Sequence, residues 1–299
     1  MISEEALAVE EIYRERRRSP APPAADLATQ RADADRFGDE TAEPTGVRFE
    51  PVDAGGVPAE WAVPDGAVAE RVLIYFHGGG YGFCSIGSHR KLVGHLAKAT
   101  GCVGLNVGYP LAPEHPHPGA VLAAVAAYRW ILSRGHRPEA VVLAGDSAGG
   151  GLAAAALVKA RDDGLPMPAA GILMSPWVDM ALTGESMTTC VDTDLLSAPA
   201  GNRYCAQQFL AGGDPRDPYA SPLYADLAGL PPLYIQVGDG ELLLDDARRL
   251  AEKARAAGVE VHLDVFHRMQ HDFQMFAGHM PEADAAVAAI GAFAAGRLG

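Results

Sequence analysis

The chain has 299 residues, 48% of them hydrophobic, enough for a sizeable buried core in one large domain or in a core with an appended lid. Its formal net charge of −14 argues against nucleic acid or an anionic membrane surface as partner. No stretch approaches ~18 consecutive apolar residues, and the first residues, MISEEALAVEEIYRERRR, are charged with no apolar h-region. Neither a membrane span nor a secretory signal is therefore expected, and the cytoplasm is the default. Cys84, Cys102, Cys190 and Cys205 lack zinc-type spacing and sit in apolar contexts, which suits reduced, buried thiols better than disulfides.

Residues 1 to about 45 carry a first helix, Ser3 to Arg18, and then the Pro/Ala-rich break SPAPPAAD. With no strand pattern, this region reads as an appendage packed on the core. Val47 to Asp53 and Val57 to Val63, separated by Ala54-Gly55-Gly56, predict an antiparallel hairpin. From Arg71 onward strands and helices alternate. Strands are predicted at Val72 to Phe76, Cys102 to Val107, Ala140 to Ala144, Gly171 to Met174, Leu233 to Val237 and Val259 to Phe266. Helices are predicted near Ser88 to Thr100, Gly119 to Arg134, Ala148 to Asp163, Leu242 to Ala257 and Pro281 to Leu298. Near-continuous apolar strands between helices imply a mostly parallel sheet covered on both faces, so the fold class is α/β. Residues 180–225 hold little strand signal, and an insertion of that size over the strand ends reads as a lid or binding loop. No internal repeat or low-complexity tract is visible.

The stretch AVVLAGDSAGGGLAAAALVKARDD, Ala140 to Asp163, organises the chemistry. Gly145-Asp146-Ser147-Ala148-Gly149 falls on a strand-to-helix turn, where small residues two before and two after the serine avoid clashes in a sharp elbow. Ser147 is the candidate nucleophile, and the N–H of Ala148 faces any oxyanion formed beside it. His77-Gly78-Gly79-Gly80 follows an earlier strand directly, and unshielded N–H groups of Gly78 and Gly79 would complete an oxyanion hole. His77 precedes the nucleophile and reads as a residue that pins this loop through its ring.

The base is sought after the last strand, in His267-Arg268-Met269-Gln270-His271-Asp272-Phe273, because the elbow chemistry runs serine, acid, histidine along the chain. His271 is preferred to His267, since a base must reach the serine from a loop and not from the strand body. The two histidines share the spacing of H-E-x-x-H, but Arg268 holds the glutamate position and no third ligand is apparent, so no metal site is expected. For the acid, Asp239 and Glu241 both follow the strand ending at Val237, with Asp245 and Asp246 further along. Residue type alone slightly favours Asp239, aspartate being the commoner acid in such triads.

Taken together, HGGG, the elbow GDSAGG, the segment Tyr109-Pro-Leu-Ala-Pro-Glu-His115, the block Ser175-Pro-Trp-Val-Asp179 and the late HDF resemble the hormone-sensitive lipase family of α/β-hydrolases, the bacterial group IV esterases. The match covers roughly residues 45–299. It implies an α/β-hydrolase fold with an eight-stranded, mostly parallel sheet, helices on both faces and a helical cap. The cap would come from residues 1–45 and an insertion near 185–212, on a catalytic domain spanning 46–299. Many relatives carry Asp-Pro-Leu-x-Asp-Glu near the acid, and the downstream helix aligns ungapped when Glu241-Leu242-Leu243-Leu244-Asp245-Asp246 is laid on it. Glu241 then takes the acid position, with Asp239 as second choice. Pro110, where relatives usually have arginine, and Phe83-Cys84 beside the oxyanion loop depart from the pattern and bear on substrate fit. The family commonly dimerises through its last strand, and Val259 to Phe266 is an apolar, Pro-free edge, so a homodimer is expected.

The resulting expectation is a serine carboxylesterase for short- to medium-chain esters of small molecules, working through an acyl-enzyme without a cofactor. Ser147, His271 and Glu241 would form the triad, and Gly78, Gly79 and Ala148 the oxyanion hole. An N-acetyl hydrolase or a lactone hydrolase of a secondary metabolite would use the same site. A small-molecule receptor on a hydrolase scaffold would be expected to lack a triad member, and here all are present.

Overall fold

Eight strands make one sheet in the computed structural model, which describes residues 2–18 and 26–299. In chain order they are β1 (Val47–Asp53), β2 (Pro58–Pro64), β3 (Val68–Phe76), β4 (Cys102–Val107), β5 (Val141–Asp146), β6 (Ala170–Met174), β7 (Leu233–Gly238) and β8 (Val261–Phe266). Their spatial order is β1-β2-β4-β3-β5-β6-β7-β8. The predicted hairpin is present, with Val47 opposite Pro64 and Asp53 opposite Pro58, and β2 also pairs antiparallel with β4. Every other pairing is parallel.

The apolar runs of the central strands are buried on both faces, and alternate residues feed two separate cores. Val72, Ile74, Phe76, Val141 and Leu143 pack on one side against α4 (Gly119–Ser133), α5 (Ser147–Asp162) and α8 (Leu244–Ala256). Leu73, Tyr75, Val142, Ala144 and Ile172 pack on the other against α3 (Ile86–Thr100) and α9 (Pro281–Ala295). β3 lies between β4 and β5, so the chain leaves it to opposite sides, and the crevice at such a reversal is where open parallel sheets bind ligands.

Some boundaries differ from the sequence reading. β3 starts at Val68 instead of Val72, because Ala69 and Glu70 are exposed and carry no apolar signal. The last strand starts at Val261: Val259 is buried and its N–H bonds Ala254 O, closing α8 and not opening a strand. Cys205 is half-buried, whereas the other three cysteines are buried; all four are free.

The segment before the sheet holds α1 (Glu4–Arg18) and α2 (Leu27–Asp35), followed by a 3-10 turn, Arg36–Glu40. Residues 19–25 of the Pro/Ala-rich break lie outside the described residues. Ala6 and Tyr13 of α1 pack with Leu195, Met269, Phe273 and Phe276, and Arg17 donates to Val191 O and Ser197 O. From α2, Arg31 donates to Gly82 O and Ala112 O and pairs with Glu114. Between β6 and β7 stand two further helices, α6 (Ser186–Thr189) and α7 (Pro199–Leu210). Among the described residues no helix is long and apolar enough to cross a membrane.

Candidate active site

β5 runs straight into α5 at Ser147, whose backbone is left-handed at φ +51°, a strained state for a residue with a side chain. The turn is possible because its neighbours are glycines. A Cβ on Gly149 would lie 2.0 Å from Phe76 O, and one on Gly145 would lie 2.3 Å from Gly149 O. The elbow is thereby held against the end of β3, next to the loop that starts at His77. There Gly79 takes φ +102°, which a side chain would resist, and a Cβ on it would lie 2.3 Å from Phe83 O.

Three side chains far apart in the chain meet at this turn. His271 Nε2 lies 2.9 Å from Ser147 Oγ, and His271 Nδ1 lies 2.8 Å from Glu241 Oε2. A carboxylate can only accept, so Nδ1 carries the hydrogen and Nε2 offers its lone pair to the serine hydroxyl. Glu241 is fully buried and is fixed at its other oxygen, where Ser175 Oγ donates at 2.7 Å and Gly238 N at 2.6 Å. All three residues lie beyond the carboxyl ends of their strands: Ser147 after β5, Glu241 after β7 and His271 after β8.

The second-choice pair is a pair of its own. Asp239 accepts from His267 Nδ1 at 2.8 Å and from Arg268 N at 2.6 Å, on the surface and away from Ser147. The two carboxylates and two histidines thus sort into separate couples, one buried at the elbow and one exposed. His77 is buried, its Nδ1 donates to Gly78 O at 2.7 Å, and its ring stacks on Tyr109, whose hydroxyl donates to His77 O. Burial, with the charge of His89, pushes the His77 ring down to about 4, so it stays neutral.

Around His271 burial disfavours the charged ring, whereas an ionised carboxylate at Asp272 and the hydrogen bond and charge of Glu241 act the other way and would together raise it above a free histidine. Sequence reasoning passed over four residues that the structure brings to this centre. Ser175 braces Glu241. Asp146, the middle of the elbow motif, is buried and accepts from Tyr75 Oη at 2.5 Å and from His89 Nε2 at 3.1 Å. Asp272 lies beside His271, with Oδ2 3.2 Å from Nε2. The sequence signal was weak: of these, only Asp146 stands between small and apolar residues, inside the glycine-rich elbow.

A cavity of about 1130 Å³ opens on Ser147 and His271. One wall comes from Phe37, Phe83 and Cys84, and another from Trp177, Leu196 and Cys205 of the β6–β7 connection, with Arg16 and Arg36 also on its lining. The Phe83-Cys84 departure therefore faces the cavity, whereas Pro110 is not part of its wall.

A sequence profile of the α/β-hydrolase fold matches residues 73–275. The chain is similar to an acetyl-hydrolase of Streptomyces hygroscopicus, 46% identical over 245 residues and 81% of each chain. It is also similar to an esterase of Acinetobacter venetianus, 39% identical over 252 residues, 83% of this chain and 82% of that one. Among solved structures, an esterase of the bacterial hormone-sensitive lipase family superposes with a TM-score of 0.95 at 44% identity over the whole of both chains. The esterase EstE5, soaked with p-nitrophenyl butyrate, superposes at 0.94 with 40% identity over 99% of both. On the profile match and the likeness to that esterase over the whole of both chains, the chain belongs to the hormone-sensitive lipase family of α/β-hydrolases.

Proposed function

We propose that the protein is a serine carboxylesterase in which Ser147, His271 and Glu241 act as nucleophile, base and orienting acid. The observation that carries this reading is the unbroken chain of hydrogen-bonding distances from Glu241 through His271 to Ser147, at the floor of a cavity. As Ser147 Oγ attacks the ester carbonyl, its proton passes to His271 Nε2, and the imidazolium is held by Glu241. The N–H groups of Gly78, Gly79 and Ala148 would receive the oxyanion, each worth ~2.7–4 kcal/mol in the transition state. His271 then gives the proton to the departing alkoxide. Water, deprotonated by the same ring, cleaves the acyl-enzyme and restores Ser147. No step requires a cofactor or a metal.

Residues 1–45 and the segment near 185–212 serve as the cap in this reading, and their cavity-facing residues set the acyl length. β8 leaves its outer edge without a strand partner among the described residues, with Val265 40% exposed, and a second copy would pair there. Free thiols favour a reducing compartment, the cytoplasm.

Assay of p-nitrophenyl esters of graded acyl length, with a lactone and an N-acetyl amide alongside, tests the reading. Short to medium esters should be the best substrates, and failure to cleave any ester would sink it. A second reading, removal of acetyl groups from a metabolite, gains weight from the similarity to an acetyl-hydrolase. Preference for the N-acetyl amide would select it.

A further inference from the structure

Asp272 collects three observations that the hydrolytic scheme leaves unused. Its backbone sits at φ +54°, in the left-handed region. The residue is 5% exposed, and Oδ2 lies 3.2 Å from His271 Nε2, the nitrogen that serves Ser147. Its other oxygen, Oδ1, is buried without a hydrogen-bond partner, although the carboxyl lies within hydrogen-bonding reach of Asp146.

Two buried carboxyls this close do not both ionise. Asp146 already receives hydrogen bonds from Tyr75 and His89, which favour its charged form. Asp272 receives none from those groups, so the single proton belongs on Asp272 Oδ1, where it also gives the orphaned atom its partner. Resting on the triad reading above, we propose that Asp272 is a neutral carboxylic acid that donates to Asp146 and whose carbonyl oxygen accepts from His271 Nε2 once that nitrogen has taken the proton of Ser147, positioning the imidazolium for transfer to the leaving group.

The groups around it agree. Burial, together with the charges of Asp146 and Glu241, pushes Asp272 well above the ordinary carboxylate range against the pull of His271. For Asp146 burial opposes ionisation, but His89 and Tyr75 hold it below that range. Asp194, from the α6–α7 connection, adds a further negative influence on His271. Tyr13 of α1, Tyr75 of β3 and Cys84 are kept protonated by burial, and His77 is kept neutral by it.

The proton location decides whether the base works. An ionised Asp272 would hold a proton on Nε2 and take the lone pair away from Ser147. A neutral one leaves the lone pair free. Once Ser147 has delivered its proton, the carbonyl oxygen of Asp272 is a weak second acceptor that keeps the imidazolium in plane until the leaving group takes the proton.

Two variants and one spectrum test this. Asp272→Asn keeps a donor for Asp146, an oxygen for His271 and tolerance of the left-handed backbone. Its kcat on p-nitrophenyl butyrate should stay within about twofold of wild type, with the acid limb of the kcat/KM profile unmoved. Asp272→Gly fits the backbone but loses the oxygen, so kcat should fall roughly 3- to 10-fold and the acid limb should move to lower pH, with KM little changed. In the infrared difference between wild type and Asp272→Asn at neutral pH, the carbonyl stretch of a protonated carboxylic acid should be lost. A downward shift of the acid limb by about one pH unit or more in Asp272→Asn would mean that Asp272 carries charge, and would overturn the proposal. So would wild-type behaviour of Asp272→Gly, or absence of the carboxylic acid band. Ester hydrolysis retained by Ser147→Ala would instead overturn the triad reading, whatever Asp272 does.

Discussion

Replacing Glu241 with glutamine is a sharp probe of the relay because the surroundings dictate how the amide must sit. Glu241 Oε1 accepts from Gly238 N, a group that can only donate, and from Ser175 Oγ. In Glu241→Gln the amide oxygen must therefore occupy that side, and its NH₂ turns to His271 Nδ1. Nδ1 then has to accept, the ring hydrogen moves to Nε2, and Ser147 faces a donor where it needs a base. The loss includes both the wrong tautomer and the missing counter-charge, so kcat should fall by about 10⁴, equivalent to about 5.4 kcal/mol of transition-state stabilisation. Size and shape are conserved, so the melting temperature should change far less than the rate. Asp239→Asn breaks only the exposed couple with His267 and Arg268, and should cost less than about threefold. Steady-state hydrolysis of p-nitrophenyl butyrate by the two purified variants measures both effects. The reverse ranking would refute the reasoning and give the acid role to Asp239.

Three other outcomes follow from the same geometry. In Gly78→Ala the new Cβ would lie 2.2 Å from Asp146 Oδ2, so the loop must shift and an oxyanion donor is lost; kcat should drop by about 10²–10³, and an unchanged kcat would remove Gly78 from the hole. Hydrolysis should rise with pH as His271 gives up its proton, because only the neutral ring accepts from Ser147. An ionised Asp272 together with Glu241 would raise the ring to about 10, so with Asp272 neutral the midpoint of kcat/KM should lie below that value; a flat profile from pH 5 to 8 would point to another base. Pairing through β8 predicts a dimer mass by light scattering at micromolar concentration, and a monomer mass would contradict it.

Much of this was legible in the sequence, for physical reasons that differ by element. Strands buried on both faces need near-continuous apolar runs, so β4 was found to the residue and β5 to β7 to within one or two. Gly145 and Gly149 were readable because the elbow has no room for a side chain, and the distances to Phe76 O and Gly149 O bear that out. α2 was not legible: LATQRADAD presents no apolar stripe, and its one signal is Asp26, whose side chain caps Thr29 N. The choice between Asp239 and Glu241 could not come from spacing alone, since both follow the same strand and only the folded chain shows Glu241 buried on His271 and Asp239 exposed on His267. The meeting of Asp146 with Asp272 lay further out of reach, because it depends on β5 and the loop after β8 converging across the sheet.

Labelling with diethyl p-nitrophenyl phosphate tests the central claim most directly, because it asks which atom attacks. A serine activated by the His271–Glu241 couple should displace p-nitrophenolate and keep the phosphoryl group, and peptide mass spectrometry should find one adduct per chain, on Ser147, in step with the loss of esterase activity. An adduct on another residue, or full inactivation with Ser147 unmodified, would contradict the account.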